Sequence, residues 1–303
     1  SELSTLLLEW FDLNKRELPF RKNNKPYDVW VSEIMLQQTK VDTVIPYYNA
    51  WMKKFPNIES VSEASEESIL KSWEGLGYYS RSRNFHKAAK IIKKNFNSKI
   101  PDSWDDFRLL PGVGDYTAGA VLSIAFNKSY VAVDGNVKRV MARLTSRKKL
   151  SQHNLRFIKS KLLKFMDKNR AGDFNQAMME LGACVCLPRN PKCEQCPINK
   201  ICNAYISGKP TEYPAKVVKK TIPSHIFVGG LIRVGNKILI QKREEKMKQN
   251  PKAGPRWRRP RTMRGSWEDY RRGSTWNLKK KAAACIPHAA PRWGGGSMIP
   301  IQF

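Results

Sequence analysis

A chain of 303 residues with 41% hydrophobic side chains has room for one large or two ordinary domains with real cores, which excludes a chain unfolded along its whole length. Its 55 lysines and arginines against 26 acidic residues give a formal net charge of +29. That charge points to a polyanionic partner, nucleic acid foremost; the rival, an anionic membrane surface, would call for a basic amphipathic helix or lipidation signals, and neither stands out. No apolar run approaches the roughly 20 residues of a membrane span, and the N-terminus lacks the basic flank and cleavage site of a signal peptide; the expectation is a soluble intracellular protein.

Taken in chain order, residues 1–205 read as a string of helices with short connections. "SELSTLLLEWFDL" opens the chain as an amphipathic helix led by Ser1 and Glu2. "SEASEESILKSWEGL" (62–76), "SRNFHKAAKIIKKNF" (82–96) and "NLRFIKSKLLKFMDK" (154–168) carry apolar residues at helical spacing. The first has serine caps and the other two a basic outer face. Pro101, Pro111, Gly112, Gly114 and Gly135 punctuate the pattern. Residues 206–222 read as a polar, basic linker with two prolines. At 223–245 the period changes to strand, turn at Gly235-Asn236, strand, as at the start of a β domain.

From Lys246 to Phe303 there are 14 basic and 2 acidic residues, a net +12, which leaves +17 for the rest of the chain. Leu278, Ile286, Ile299 and Ile301 are the only Leu, Ile or Val residues in this stretch, too few to offset the entropy of ordering it. It is expected to be a poorly ordered basic tail. Its four tryptophans (257, 267, 276, 293) are unusual for such a segment; a frameshifted or chimeric end would account for both features.

Three stretches carry chemistry. In "LPGVGDYTAGAV" (110–121), Leu109 and Leu110 close one helix, Pro111 to Gly114 turn, and Thr117, Ala118 and Ala120 begin the next. Gly112 and Gly114 permit positive φ, and bare N–H groups at a helix start can point at one anion, such as a DNA phosphate. A plain interhelical loop is the alternative. Glu33 sits in "VWVSEIMLQQ" among Val31, Ile34, Met35 and Leu36. If buried, its carboxyl pKa rises, which suits a general acid; if it lies on the polar face it does nothing special, and periodicity does not choose. Asp134 follows "YVAV" and opens a helix as its N-cap.

Cys186, Cys193, Cys196 and Cys202 form C-x6-C-x2-C-x5-C. One compact loop with four thiolates suits an iron–sulfur cubane better than zinc, whose sites usually use two separated C-x-x-C pairs, although S4 sites accept either metal. Cys184 breaks the spacing and reads as a core residue of the preceding helix, and Cys285 has no evident partner. Arg189 and Lys192 lie on the cysteine loop, where they are either presented to phosphates or simply solvated.

The 110–121 stretch resembles the helix–hairpin–helix of the base-excision DNA glycosylase superfamily. With "WVSEIMLQQTKVDTVIPYY" (30–48), "GLGYYSRSRNFHKAA" (75–89), "VAVDGNVKRVMAR" (131–143) and the cysteine cluster, the chain is similar in colinear order, over about residues 3–205, to MutY-type adenine DNA glycosylases. The resemblance implies a mainly α fold: a helix–hairpin–helix glycosylase domain (1–205) with a [4Fe–4S] loop (186–202), the linker (206–222), a partial Nudix-like β segment (223–245) and the irregular tail (246–303). It implies a monomer that acts on double-stranded DNA holding adenine opposite 8-oxoguanine or guanine. Glu33 would protonate N7 of adenine, Asp134 would stabilise the oxocarbenium-like sugar, and Tyr116 and Asn136 would orient Asp134 and the sugar. Gln37, Gln38, Leu76 and Tyr78 would fill the hole left by the flipped base or wedge beside the opposing purine; taken singly, Leu76 and Tyr78 could equally be core residues. Gly112, Val113 and Gly114 would grip a phosphate, and Arg21 and Glu180 would line the adenine pocket.

Bifunctional relatives carry a lysine after the hairpin; here it is Tyr116, which implies base removal without strand cleavage. Asp115 puts an acid where relatives often carry a basic or neutral residue. The family's Phe-Ser-His loop for 8-oxoguanine has no counterpart in the tail. Two other readings remain at this point: an endonuclease III-like glycosylase/lyase, and a catalytically inactive iron–sulfur DNA-binding protein.

Overall fold

The structure, a computed structural model, describes residues 1–215 and the strand residues 233–234, 237–238 and 299–300. Twelve α-helices follow one another within residues 1–215: α1 (Glu2–Asn14), α2 (Pro26–Leu36), α3 (Val41–Lys54), α4 (Ile58–Glu63), α5 (Glu66–Ser72), α6 (Ser80–Asn95), α7 (Trp104–Arg108), α8 (Asp115–Phe126), α9 (Gly135–Leu144), α10 (Gln152–Phe165), α11 (Ala171–Cys184) and α12 (Asn203–Ile206). Local chemistry sets many of the boundaries. Ser1, Asn57, Ser65, Ser103, Asp134 and Ser151 each accept a backbone N–H at a helix start, satisfying donors that the helix leaves unpaired. Proline in the first turn of α2 uses its fixed φ where no N–H is needed.

The helices bury two apolar cores. One gathers Trp30, Val31, Met35, Trp51, Trp73, Phe85, Phe107 and Val121 from α2 to α8. Within it Trp30 meets Phe85 and Phe107 edge-on, at centroid distances of 4.8 and 5.0 Å. The other joins Leu3, Leu7 and Phe11 of α1 to Val140, Ile158, Phe174 and Leu181 of α9, α10 and α11. N- and C-terminal parts of the helical unit thus share the second core. The two cores meet where α8, packed on α2, also packs on α11. Gly172 allows this closeness: a Cβ there would lie 2.7 Å from the Ile124 Cα and the Ser123 carbonyl oxygen.

The chain divides into two units, Ser1–Lys219 and Lys220–Phe303. The expected linker at 206–222 is therefore corrected in its first half. Arg143 Nε donates to the Tyr213 carbonyl at 3.0 Å, and Ala215 N donates to the Lys148 carbonyl at 2.8 Å, so this stretch packs on the helical unit. In the second unit, β1 (Arg233–Val234) pairs antiparallel with β2 (Lys237–Ile238), which pairs antiparallel with β3 (Ile299–Pro300). The strand pairs on either side of Gly235-Asn236 are present, and Ile299–Pro300 of the tail adds a strand beside them; the turn residues themselves lie outside the described residues. The rest of the Nudix-like and tail readings lies outside the described residues, as does Cys285.

Candidate active site and iron–sulfur loop

An open cleft of about 190 Å3 lies within the helical unit, and Glu33 and Asp134 both line it. Glu33 comes from α2. The helix is apolar on nearly all sides and is buried from Val29 to Met35, so Glu33 is carried into the interior and is 7% exposed. The choice that periodicity left open falls on burial. Desolvation pushes its carboxyl up to about 7, helped by the charge of Asp134 and opposed by a 2.7 Å hydrogen bond from Tyr116 Oη. Met179 Sδ lies 3.3 Å from the same hydroxyl.

Asp134 caps α9. Its Oδ1 accepts the Val137 N–H at 2.7 Å and its Oδ2 accepts Asn136 Nδ2 at 2.9 Å. Asn136 is held in turn by Arg139 Nη2, which donates to its Oδ1 at 2.8 Å. The segment leading to Asp134 is fixed by buried Asn175, whose Oδ1 accepts the Ala132 N–H at 3.0 Å and whose Nδ2 donates to the Tyr130 carbonyl at 2.8 Å. Asn136 thus bonds Asp134, whereas the Tyr116 hydroxyl bonds Glu33, because the first turn of α8 faces α2.

Arg21 and Glu180 line the same cleft. Arg21 Nη2 donates to Glu180 Oε2 at 2.8 Å, and Arg16 Nη2 reaches the same oxygen at 2.9 Å. Burial alone would raise the Glu180 pKa, but the two guanidinium groups outweigh it and hold the carboxyl down at about 2. Arg16 was missed from sequence. In "NKRELPFRK" it reads as one more surface cation, and only the fold brings it to a glutamate 164 residues away.

At the hairpin, Gly112 has φ +82, and a Cβ there would lie 2.8 Å from Asn84 Cβ. Gly114 does not need the freedom expected of it: its φ is −96, and it serves as the N-cap of α8. Val113 is buried, and its carbonyl accepts Arg108 Nη1 at 2.7 Å. Asp115 is neutralised by Arg108 Nε and Lys159 Nζ, each at 3.0 Å, so it adds no net repulsion. Gln38 and Tyr78 are exposed, Tyr78 at 62%, whereas Gln37 is half-buried and donates to Thr117 Oγ1 at 3.2 Å. Leu76 falls on its core alternative: its side chain is 5% exposed, its N–H donates to the Trp73 carbonyl and its own carbonyl accepts Arg81 Nη2, so it is not placed to wedge into the duplex.

Cys186, Cys193, Cys196 and Cys202 line one cavity after α11, together with Arg143, Tyr205 and Pro210. Among the described residues, no three His, Cys, Asp or Glu side chains are placed to hold a single metal ion. Four thiols lining one cavity supply the all-sulfur donor set that an iron–sulfur cluster takes. Arg143 Nη1 donates to Cys186 Sγ at 3.1 Å, and Arg139 Nε to the Cys186 carbonyl at 2.8 Å, which anchors the loop on α9. Arg189 and Lys192 are exposed on it. Cys184 ends α11, half-buried, with Sγ 3.7 Å from Glu180 Oε1.

The helix–hairpin–helix, the paired carboxylates and the four-cysteine loop define a base-excision DNA glycosylase. The family model described as HhH-GPD superfamily base excision DNA repair protein matches residues 31–164, and the iron–sulfur binding domain of endonuclease III matches residues 186–202. A thermostable thymine-DNA glycosylase structure superposes with a TM-score of 0.63 at 27% identity, covering 68% of this chain and 95% of that one. An endonuclease III–DNA covalent intermediate, at TM-score 0.58 and 22% identity, has the same fold over 68% of this chain and 97% of that one.

The adenine DNA glycosylase of Buchnera aphidicola subsp. Acyrthosiphon pisum (strain APS) is 40% identical over 249 residues, 80% of this chain and 70% of that protein. The human adenine DNA glycosylase is 44% identical over 212 residues, 65% of this chain and 38% of that protein. The chain belongs to the adenine DNA glycosylase family. It is a DNA repair enzyme that hydrolyses the N-glycosyl bond of adenine, and its four-cysteine loop holds a [4Fe–4S] cluster.

Proposed function

We propose that the enzyme removes adenine mispaired with 8-oxoguanine or guanine, acts as a monomer and leaves the strand uncut. The observation that carries the reading is the buried Glu33 carboxyl, raised to about 7 and facing Asp134 across one cleft. An acid with that pKa holds a proton near neutrality, as protonation of adenine N7 requires. Adenine first leaves the base stack and enters the cleft. Glu33 then donates its proton so that the base departs neutral, and Asp134, fixed by its capping bond and by Asn136, faces the developing positive charge on the sugar. Water attacks the sugar and returns a proton to Glu33. Arg16, Arg21 and Glu180 form the polar wall of the cleft, where a purine edge can be read. Cys186, Cys193, Cys196 and Cys202 hold the cluster, which fixes the loop that presents Arg189 and Lys192 to the phosphate backbone. Gly112 and Gly114 present hairpin amides to a phosphate, while the Val113 N–H donates to the Leu110 carbonyl at 3.1 Å and shapes the turn.

Tyr116 supplies no amine for a Schiff base, which supports a monofunctional enzyme. The test is single-turnover adenine release from duplexes with adenine opposite 8-oxoguanine, guanine, thymine and cytosine, each followed by alkali and, separately, by borohydride trapping. Release confined to the two purine mispairs, with breaks only after alkali and no crosslink, is expected. Equal release from all four pairs, or a borohydride crosslink, would overturn the reading. Glu33→Gln should release nothing from any duplex.

A further inference from the structure

Two turns far apart in sequence share one side chain. The first, Gln37–Thr39, follows α2; the second, Gly75–Tyr78, follows α5. Arg81, in the first turn of α6, is 9% exposed. Its Nη1 donates to the carbonyls of Ile34 (2.8 Å), Met35 (2.9 Å) and Gln37 (2.7 Å). Its Nη2 donates to the carbonyls of Leu76 (3.1 Å) and Gly77 (3.3 Å) and to Thr39 Oγ1 (3.3 Å). Nη1 has two hydrogens for three acceptors, so one is shared. The carbonyls of Ile34 and Met35 belong to the last turn of α2, where no intrahelical donor remains. The guanidinium also lies 5.3 Å from the Trp73 ring centroid and 5.6 Å from that of Tyr78.

Both turns hold a non-glycine residue in the left-handed region, Gln38 at φ +58 and Tyr78 at φ +46. Such conformations persist only where the surroundings over-determine them. Arg81 and the 3.2 Å bond from Trp73 Nε1 to the Gly77 carbonyl supply that from behind, while the side chains of Gln38 and Tyr78 stay open in front.

We infer that Arg81 is a positioning residue for duplex opening: it clamps the Gln37–Thr39 and Gly75–Tyr78 turns at one separation, so that Gln38 and Tyr78 enter the same base-pair step and adenine is extracted. It acts on extraction and leaves bond cleavage to Glu33 and Asp134. The inference rests on the proposed adenine extraction and on the expectation, drawn from the family resemblance, that Gln38 and Tyr78 contact the duplex.

The test uses the full chain with Arg81→Lys and compares two duplexes under single turnover. One pairs adenine with 8-oxoguanine; the other sets it opposite a tetrahydrofuran abasic analogue, where no partner base has to be parted. On the paired duplex the variant should lose about tenfold or more, and on the abasic-facing duplex no more than about threefold. The pH midpoint near 7 should stay in place. Tyr78→Ala should reproduce the pattern, and the double variant should be no slower than the slower single variant, because both act on one step.

Equal losses on both duplexes with a shifted pH midpoint would overturn the inference, since Arg81 would then serve α2 and Glu33. No loss on either duplex would overturn it as well. Melting temperature and iron content report whether Arg81→Lys folds. If it does not, Tyr78→Ala, altered at an exposed side chain, decides: equal rates on both duplexes go against the clamp. Glu33→Gln separates the two levels, because release by that variant would sink the catalytic reading and leave the Arg81 comparison standing.

Discussion

Glu33 keeps its proton to higher pH than a free glutamate because burial opposes the charged form more than the Tyr116 bond favours it. That has a consequence for stability with a definite sign. Below about pH 4.5 the carboxyl is protonated in both folded and unfolded chains and contributes no difference. Between about 4.5 and 7 only the folded chain holds the proton, so stability falls as pH rises, by about 3 kcal/mol once pH passes 7. Glu33→Gln removes that loss: its melting temperature should exceed that of the unmodified protein at pH 8 and match it at pH 4. Equal melting temperatures at both pH values would mean that the carboxyl is not desolvated. Tyr116→Phe deletes the bond that favours the carboxylate, so the pH limb of adenine release should move upward; a downward move would assign Tyr116 the opposite influence. Of this site, Asp134 was legible as a helix cap; the apolar helix around Glu33 left its burial open, and the roles of Glu33 and Asn136 came from the family resemblance. Arg16, Asn175 and Arg81 were not. Their partners lie 164, 43 to 52 and 4 to 47 residues away, and a basic or amide residue in a polar stretch gives no local sign that it will be buried.

At the scale of the element, the hairpin between α7 and α8 illustrates what a motif can and cannot say. Two glycines suggest two special conformations, yet only Gly112 uses positive φ. What distinguishes them is the neighbour: Asn84 of α6 crowds Gly112, and nothing lies within 4 Å of a Cβ on Gly114, a tertiary fact with no sequence signature. Gly112→Ala should therefore cost about 1–2 kcal/mol of stability and weaken duplex binding, whereas Gly114→Ala should be milder in both. Comparing urea midpoints and duplex affinities of the two variants checks this, and equal effects would contradict the assignment. The helices were readable from their caps and periodicity, and α9 begins at Asp134 as its sequence implies. Leu76 and Tyr78, two residues apart, each allowed a core or a DNA-facing place in sequence, and the turn folds Leu76 into the core and leaves Tyr78 exposed.

Over the whole molecule, both apolar cores contribute to the cleft. Glu33 and Tyr116 come from the side of α2 and α8, and Asp134 and Glu180 from the side of α9 and α11. The boundary of the helical unit was misread because the segment after Cys202 is polar and proline-containing; its attachment uses backbone groups, the Tyr213 carbonyl and the Ala215 N–H, which composition does not reveal. The strongly basic residues 246–303 carry +12. Their deletion should weaken duplex binding and lower its salt dependence, because lysine and arginine neutralise phosphates without reading bases, and should leave the ratio of release from 8-oxoguanine and guanine mispairs unchanged. A collapse of that ratio would show that the tail reads the lesion. Adenine release in this scheme depends on one buried acid, Glu33, delivering its proton to the base. The measurement that tests it most directly is the single-turnover rate of adenine release from a duplex with adenine opposite 8-oxoguanine, followed between pH 5 and 9. The rate should fall as pH rises through about 7, as Glu33 loses its proton; a rate that is flat across that range, or that rises through it, would contradict Glu33 as the acid.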